Sequence, residues 1–249
     1  MDFGFSEEQR DIRNLARQIL QDLVSPKTLA AYDGYASERF DRGLWGKLAE
    51  VGLLGVAMPE EHGGMGFGFM EVALLMEEAG RSIAPAPLAV HMAGGIVPIV
   101  RFGSAEQKAR LLPGATSGEI VLTAALEEQF ALDACEPATT ARAEGDGYRV
   151  SGEKFAVPFA HCAHRVLVGA MSDAGFVVLL LDPRAAGVTL TAMKTSSYEP
   201  QSLLVLDNVL VPATDWAAPC ASNSSPPWPR SRQANRTAQP WLSLIHISE

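Results

Sequence analysis

Cysteine is scarce. The 249 residues contain three, Cys135, Cys162 and Cys220, odd in number and unevenly spaced. That excludes a disulfide framework as the organising device and fits a reducing compartment, so the cytoplasm is the expected location. None has metal-ligand spacing. His161 and His164 flank Cys162, but no further ligand stands at metal spacing, so they read as loop histidines and no metal site is expected. Long apolar runs are lacking too. The longest, around Phe176–Leu181, falls far short of the ~20 residues that a membrane-spanning helix needs. The opening Met-Asp-Phe-Gly-Phe-Ser-Glu-Glu has no basic segment leading into an apolar one, so no signal peptide is read. Basic residues are outnumbered, 20 against 29 acidic, for a net charge of -9. No basic stripe breaks this deficit before residue 200, which argues against a nucleic-acid or anionic-membrane partner. A phosphate-bearing ligand stays open, since a few local donors suffice for one. No internal repeat is evident.

What is present is a core. The chain is 47% hydrophobic and 20% charged, enough for one large domain or two ordinary ones. Ile12, Leu15, Ala16, Ile19, Leu20 and Leu23 recur at helical steps over residues 6–24, with Ser6 and Gln9 as a capping box. Asp41 caps a second helix carrying Leu44, Trp45, Leu48 and Val51, and Gly52 stops it. A third helix is expected over residues 70–81. Residues 88–102 read as a buried helix with a kink at Pro98. Ser104 and Gln107 open another, which Pro113-Gly114 is expected to close after Leu112. From about Glu119 the apolar runs become short and β-rich: Ile120–Leu126, Tyr148–Ser151, Arg165–Met171, Phe176–Leu181, Val188–Leu190 and Leu203–Leu206. Turn residues separate them. Helices followed by strands define an α+β chain, with a helical domain at 1–117 and a β-domain at 118–213. Residues 214–249 lose all periodicity. They read as a disordered tail or as an out-of-frame stretch, whose final Leu-Ser-Leu-Ile-His-Ile-Ser-Glu resembles a translated sequencing-library end.

Between the second and third helices lies Gly52–Gly66, Gly-Leu-Leu-Gly-Val-Ala-Met-Pro-Glu-Glu-His-Gly-Gly-Met-Gly. Its residues describe a short buried extended piece, a glycine turn and the restart of a helix. The glycines serve either a plain loop or the close approach of backbone to a ligand. Glu60, Glu61 and His62 read as a solvated turn, and Met65, Met70 and Met76 as filler. The segment resembles the signature stretch of the acyl-CoA dehydrogenases. So do the Ser-Glu-Glu-Gln-Arg start, Phe102–Pro113 with Ser117-Gly-Glu119, the hairpin Gly145–Lys154 and the strand Leu204–Pro212. The resemblance implies an N-terminal helical domain, a middle β-barrel-like domain and a C-terminal four-helix bundle. FAD is expected between the last two, with an acyl-CoA substrate against it. It also implies an electron-transfer flavoprotein as acceptor and a homo- or hetero-oligomer. The implied chemistry is α,β-dehydrogenation, in which a carboxylate takes the α-proton and the β-hydrogen leaves as hydride.

The resemblance also places the cofactor residues. Leu126 and Glu127 stand where the family has a flavin-binding hydroxyl segment, with Glu128 matching a family glutamate. Ala156, Val157 and Pro158 stand where it has an aromatic residue, Ile and a hydroxyl. Glu127 replaces a donor with a carboxylate, and Pro158 has neither a hydroxyl nor an N–H. Asp133 is the candidate for a substrate hydroxyl, with a turn-forming aspartate as the alternative. Nothing after Pro212 resembles the bundle that would carry the catalytic base, so no catalytic residue is nominated. Three functions compete: a flavin-dependent acyl-CoA dehydrogenase, a flavin-poor partner subunit of a heteromeric one, and a non-functional fragment. Flavin content separates the first two.

Overall fold

Capping and spacing decide where the helices form. The computed structural model describes residues 4–33, 38–129, 133–134 and 136–217; the 218–249 part of the expected tail lies outside them. Helix α1, Glu7–Leu23, starts on the Ser6–Gln9 capping box and buries Ile12, Ala16, Ile19 and Leu20. A short helix α2, Pro26–Leu29, follows. Asp41 caps α3, Arg42–Glu50, by accepting the N–H groups of Gly43 and Leu44, both at 2.9 Å. Helix α4 spans Phe69–Ser82 and carries acidic partners for the polar side of α1. Gln9 donates to Glu71 at 2.9 Å, and Arg13 and Arg17 converge on Glu78 at 3.0 and 2.7 Å. The Glu78 side chain is 2% exposed. The hydrogen bonds from Arg17, and then those from Arg13, hold its carboxyl down at about 2.

Residues 52–67 fold back on themselves through two 3-10 turns, Leu53–Gly55 and Glu60–His62, where the sequence suggests a buried extended piece. Gly52 leaves α3 in the left-handed region at φ 79°. The amides of Met65, Gly66 and Phe67 then bond back to the carbonyls of Gly55, Met58 and Val56. Gly64 sits where an added Cβ would lie 2.2 Å from the Met58 carbonyl oxygen. The close approach that these glycines allow is therefore to the chain's own backbone.

Residues 88–102 are helical, in two parts. Val90–Ile96 is a wide π-helical stretch, and α5 continues as Val97–Phe102. Val97 donates to the carbonyl of Met92, five residues back. Widening here makes room for Pro98, whose ring would otherwise crowd the turn before it and which has no N–H to give. Helix α6, Ala105–Thr116, does not stop at Pro113 as the sequence suggests. Proline removes one intrahelical bond, but Leu111, Leu112 and Ala115 are buried around it and the Thr116 hydroxyl bonds the Leu112 carbonyl. The tertiary gain outweighs the local break.

His91 closes this unit from within. It is fully buried, and the Leu122 N–H donates to its Nδ1 at 3.1 Å. The proton therefore sits on Nε2, which donates to the Ala115 carbonyl at 3.1 Å. Burial pushes its pKa down to about 4, against the pull of that carbonyl, so it works as a neutral spacer. By its internal packing the chain divides after Leu122, with Lys194–Pro200 returning to the helical unit. Arg39 donates to the Ser197 carbonyl at 2.9 Å within that unit.

The second unit is an eight-stranded mixed sheet, curled into a half-barrel. Its strands are β1 Leu122–Ala125, β2 Thr140–Glu144, β3 Gly147–Pro158, β4 Arg165–Ser172, β5 Gly175–Leu181, β6 Val188–Met193, β7 Gln201–Val211 and β8 Trp216–Ala217. The order is β6-β7-β3-β2-β4-β5-β8, with β1 also on β4. Val150, Val157, Val166, Val168, Leu179, Leu204 and Leu206 build its core. Strand β2 has one buried residue in five, so no apolar run announced it; the hairpin with β3 supplies it. No helix among the described residues is long and apolar enough to cross a membrane.

Two glycines test this packing with opposite signs. Gly64→Ala forces backbone against backbone and is expected to cost about 1–3 kcal/mol. Gly46 lies on the exposed side of α3 with nothing within 4 Å of an added Cβ, so Gly46→Ala is expected to gain about 0.5–1 kcal/mol. Urea denaturation of both variants reads the difference; equal shifts would contradict the packing described.

Candidate functional site

The site is built where the segment leaving β1 runs beside the far end of β3. The Thr123 hydroxyl donates to the Pro158 carbonyl at 2.6 Å, and the Phe155 N–H donates to the Glu127 carbonyl at 2.8 Å. Both bonds tie residues 123–128 to residues 154–158. The two stretches singled out by sequence, Leu126–Glu127 and Ala156–Pro158, are thus neighbours.

Glu128 is the anchor between them. Its carboxylate accepts the Lys154 ammonium at 2.7 Å, the Ala138 and Thr139 N–H groups at 2.6 and 3.0 Å, and the Thr139 hydroxyl at 2.5 Å. The Lys154 side chain is 0% exposed and that of Glu128 6%. Burial alone would push the Glu128 carboxyl up. The Lys154 ammonium and the Thr139 donors outweigh it and hold the group below the usual carboxylate range. A buried ion pair of this kind is tolerated only because every lone pair facing it finds a donor.

Lys154 is also where the strand changes phase. The register of β3 against β7 slips between Lys154 and Val157, a bulge that admits one extra residue. Ala156 lies at φ 54° and Phe159 at φ 51°, left-handed positions that cost a side-chain-bearing residue strain. Simple alternation would put residues 154, 156 and 158 on one face. The bulge instead turns Lys154, Val157 and Phe159 inward and leaves Phe155, Ala156 and Pro158 half-buried. The Val157 side chain belongs to the sheet's core, so a ligand could meet only its backbone. Leu126 is half-buried and Glu127 is exposed. Asp133 is exposed and its carbonyl accepts the Glu136 N–H at 3.1 Å, a turn arrangement. Residues 130–132 and Cys135 lie outside the described residues.

Sequence reasoning underweighted Lys154 and missed Thr123 and Thr139. A signal for the lysine existed. It follows Val150 at an even spacing, so it sits on the inward parity of an apolar strand and demands a buried partner.

The match to a flavin can be tested on these atoms. The pyrimidine edge of an isoalloxazine ring is mostly acceptors and needs donors from the protein. Glu127 offers a carboxylate, which accepts only, and Pro158 offers no N–H. Two nearby donors, the Phe155 N–H and the Thr123 hydroxyl, are already used inside the chain. At Glu127 and Pro158 the groups present do not fit the ring.

The comparisons place the chain in a family. Residues 6–119 match the acyl-CoA dehydrogenase N-terminal domain. The chain is 32% identical over 213 residues to acyl-CoA dehydrogenase FadE27 of Mycobacterium tuberculosis, covering 86% of this chain and 56% of that protein. In structure it resembles the Tcur3481-Tcur3483 steroid ACAD variant, with a TM-score of 0.79, 39% identity, and 86% and 58% of the two chains covered. It also resembles the ChsE4-ChsE5 complex from Mycobacterium tuberculosis, with a TM-score of 0.81, 31% identity, and 87% and 58% covered. The chain belongs to the acyl-CoA dehydrogenase family, as its N-terminal plus middle region. It spans a little over half the length of these relatives.

The Glu128 anchor sets an order of costs. Glu128→Met strands a buried ammonium and frees three other donors, and is expected to cost about 3–5 kcal/mol. Lys154→Met leaves the carboxylate its Thr139 and Ala138 donors and is expected to cost less. The double variant is expected to recover part of the Glu128→Met loss. Thermal denaturation of the three variants checks the order, and a lysine variant worse than the glutamate variant would contradict it.

Proposed function

We propose that the complete protein is a subunit of an acyl-CoA dehydrogenase, converting an acyl-CoA thioester to the 2,3-enoyl-CoA with FAD as the hydride acceptor of the assembled enzyme. An electron-transfer flavoprotein is the onward acceptor, and the enzyme works in the cytoplasm as an oligomer. The observation that supports this is the co-occurrence of the family's helical unit and curled sheet along one chain.

The substrate must lose a proton from its α-carbon and a hydride from its β-carbon, and the thioester carbonyl must be polarised for the first to happen. The redox chemistry belongs to the flavin. The residues described here supply scaffold: Glu128 with Lys154 fixes the edge beside β1, and the helical unit is locked by Glu78 and His91. No carboxylate among them is nominated as the base, which we place in the remainder of the complete protein.

A second reading, a flavin-poor subunit that completes a neighbour's site, is favoured by Glu127 and Pro158. The relative named as the ChsE4-ChsE5 complex is consistent with a partnership of two different chains.

The function is tested by purifying the full-length protein in its native assembly and offering a panel of acyl-CoA thioesters with an electron-accepting dye. The expected outcome is dye reduction matched mole for mole by 2,3-enoyl-CoA. A folded assembly that reduces no dye with any straight-chain, branched or steroid-linked acyl-CoA would contradict it.

A further inference from the structure

Resting on the reading of this chain as an acyl-CoA dehydrogenase subunit, we infer that its own edge between β1 and β3 does not fit the isoalloxazine ring, so that the flavin of the working enzyme is not carried at this edge. The misfit is chemical and internal. An open cofactor site keeps donors and acceptors unsatisfied until its ligand arrives. Here the Glu127 carbonyl has the Phe155 N–H, and the Pro158 carbonyl has the Thr123 hydroxyl. The Glu128 carboxylate is filled by four donors from Ala138, Thr139 and Lys154. The loop leaving β1 and the strand hold each other through these bonds, which spend the Phe155 N–H and the Thr123 hydroxyl as donors.

The remaining groups oppose the ring. Glu127 is the exposed side chain at the edge, and its ionised carboxylate repels the electron-rich rim of a flavin, most of all in the anionic reduced form. Pro158 gives no N–H. Ala156 presents a methyl group from a left-handed backbone position, so no aromatic face stands there to stack on the ring. Three neighbouring positions therefore each lack what the ring requires. The fold is intact around them, with Lys154 and Val157 fully inside.

The test counts flavin in the native assembly. FAD is released by acid and measured per copy of this chain and of any chain that purifies with it. The count is expected to fall well below one FAD per copy of this chain. The double variant Glu127→Thr with Pro158→Thr returns a hydroxyl at both positions and an N–H at one; it is expected to raise FAD affinity at this edge by roughly tenfold, about the worth of one good hydrogen bond. Pro158→Ala, which restores only the N–H, is the milder variant should the double one fail to melt cooperatively. One FAD for every copy of this chain in the unaltered assembly overturns the inference. So does an unchanged affinity in folded variants, because the exclusion would then not lie at these residues. An assembly that oxidises acyl-CoA yet carries flavin on this chain defeats the inference and leaves the function standing. The predicted flavin count without any turnover defeats the function alone.

Discussion

A carboxylate taken out of water must be repaid in full by the groups around it, and in this chain the shape of the sheet's working edge depends on one such repayment. Glu128 draws in the Lys154 ammonium and two backbone N–H groups and one hydroxyl from Ala138 and Thr139. Meeting that demand joins three stretches of sequence: the exit from β1, the entry to β2 and the middle of β3. It also fixes where the bulge in β3 falls, because the strand slips its register directly after the lysine. The positions of Phe155, Ala156, Val157 and Pro158 follow from that slip.

The helical unit solves a related problem differently. Glu78 is buried between α1 and α4 and stays ionised because Arg17 and Arg13 reach it. His91 is buried and stays neutral, since burial removes the advantage of a proton and one ring nitrogen is needed as an acceptor for Leu122. Charge is kept where two cations can be brought to it and given up where none can. Both choices serve packing.

Much of the fold was legible because it rests on local rules. The caps at Ser6, Asp41 and Ser104 and the helical spacing of Leu44, Trp45 and Leu48 needed no tertiary information. What escaped did so for identifiable reasons. Pro113 looked like a stop, but burial of Leu112 and Ala115 on either side carries the helix past it. Strand β2 has too few apolar residues to announce itself, and exists because β3 offers it a partner. At the site, the two stretches flagged by resemblance are neighbours. Their orientation was not readable, since one extra residue in β3 reverses the alternation that any sequence argument assumes. The Glu128–Lys154 pair was half visible: the inward lysine was there to be seen, and its partner, 26 residues away, was not fixed by spacing.

The edge between β1 and β3 is held together by its own hydrogen bonds. Amide hydrogen exchange reads it directly, at the N–H groups of Phe155, Ala138 and Thr139, in the native assembly with and without added FAD. Exchange is expected to be slow at all three without added flavin and unchanged when it is supplied. Fast exchange at Phe155 that becomes slow on adding FAD would instead show an open edge waiting for its ligand.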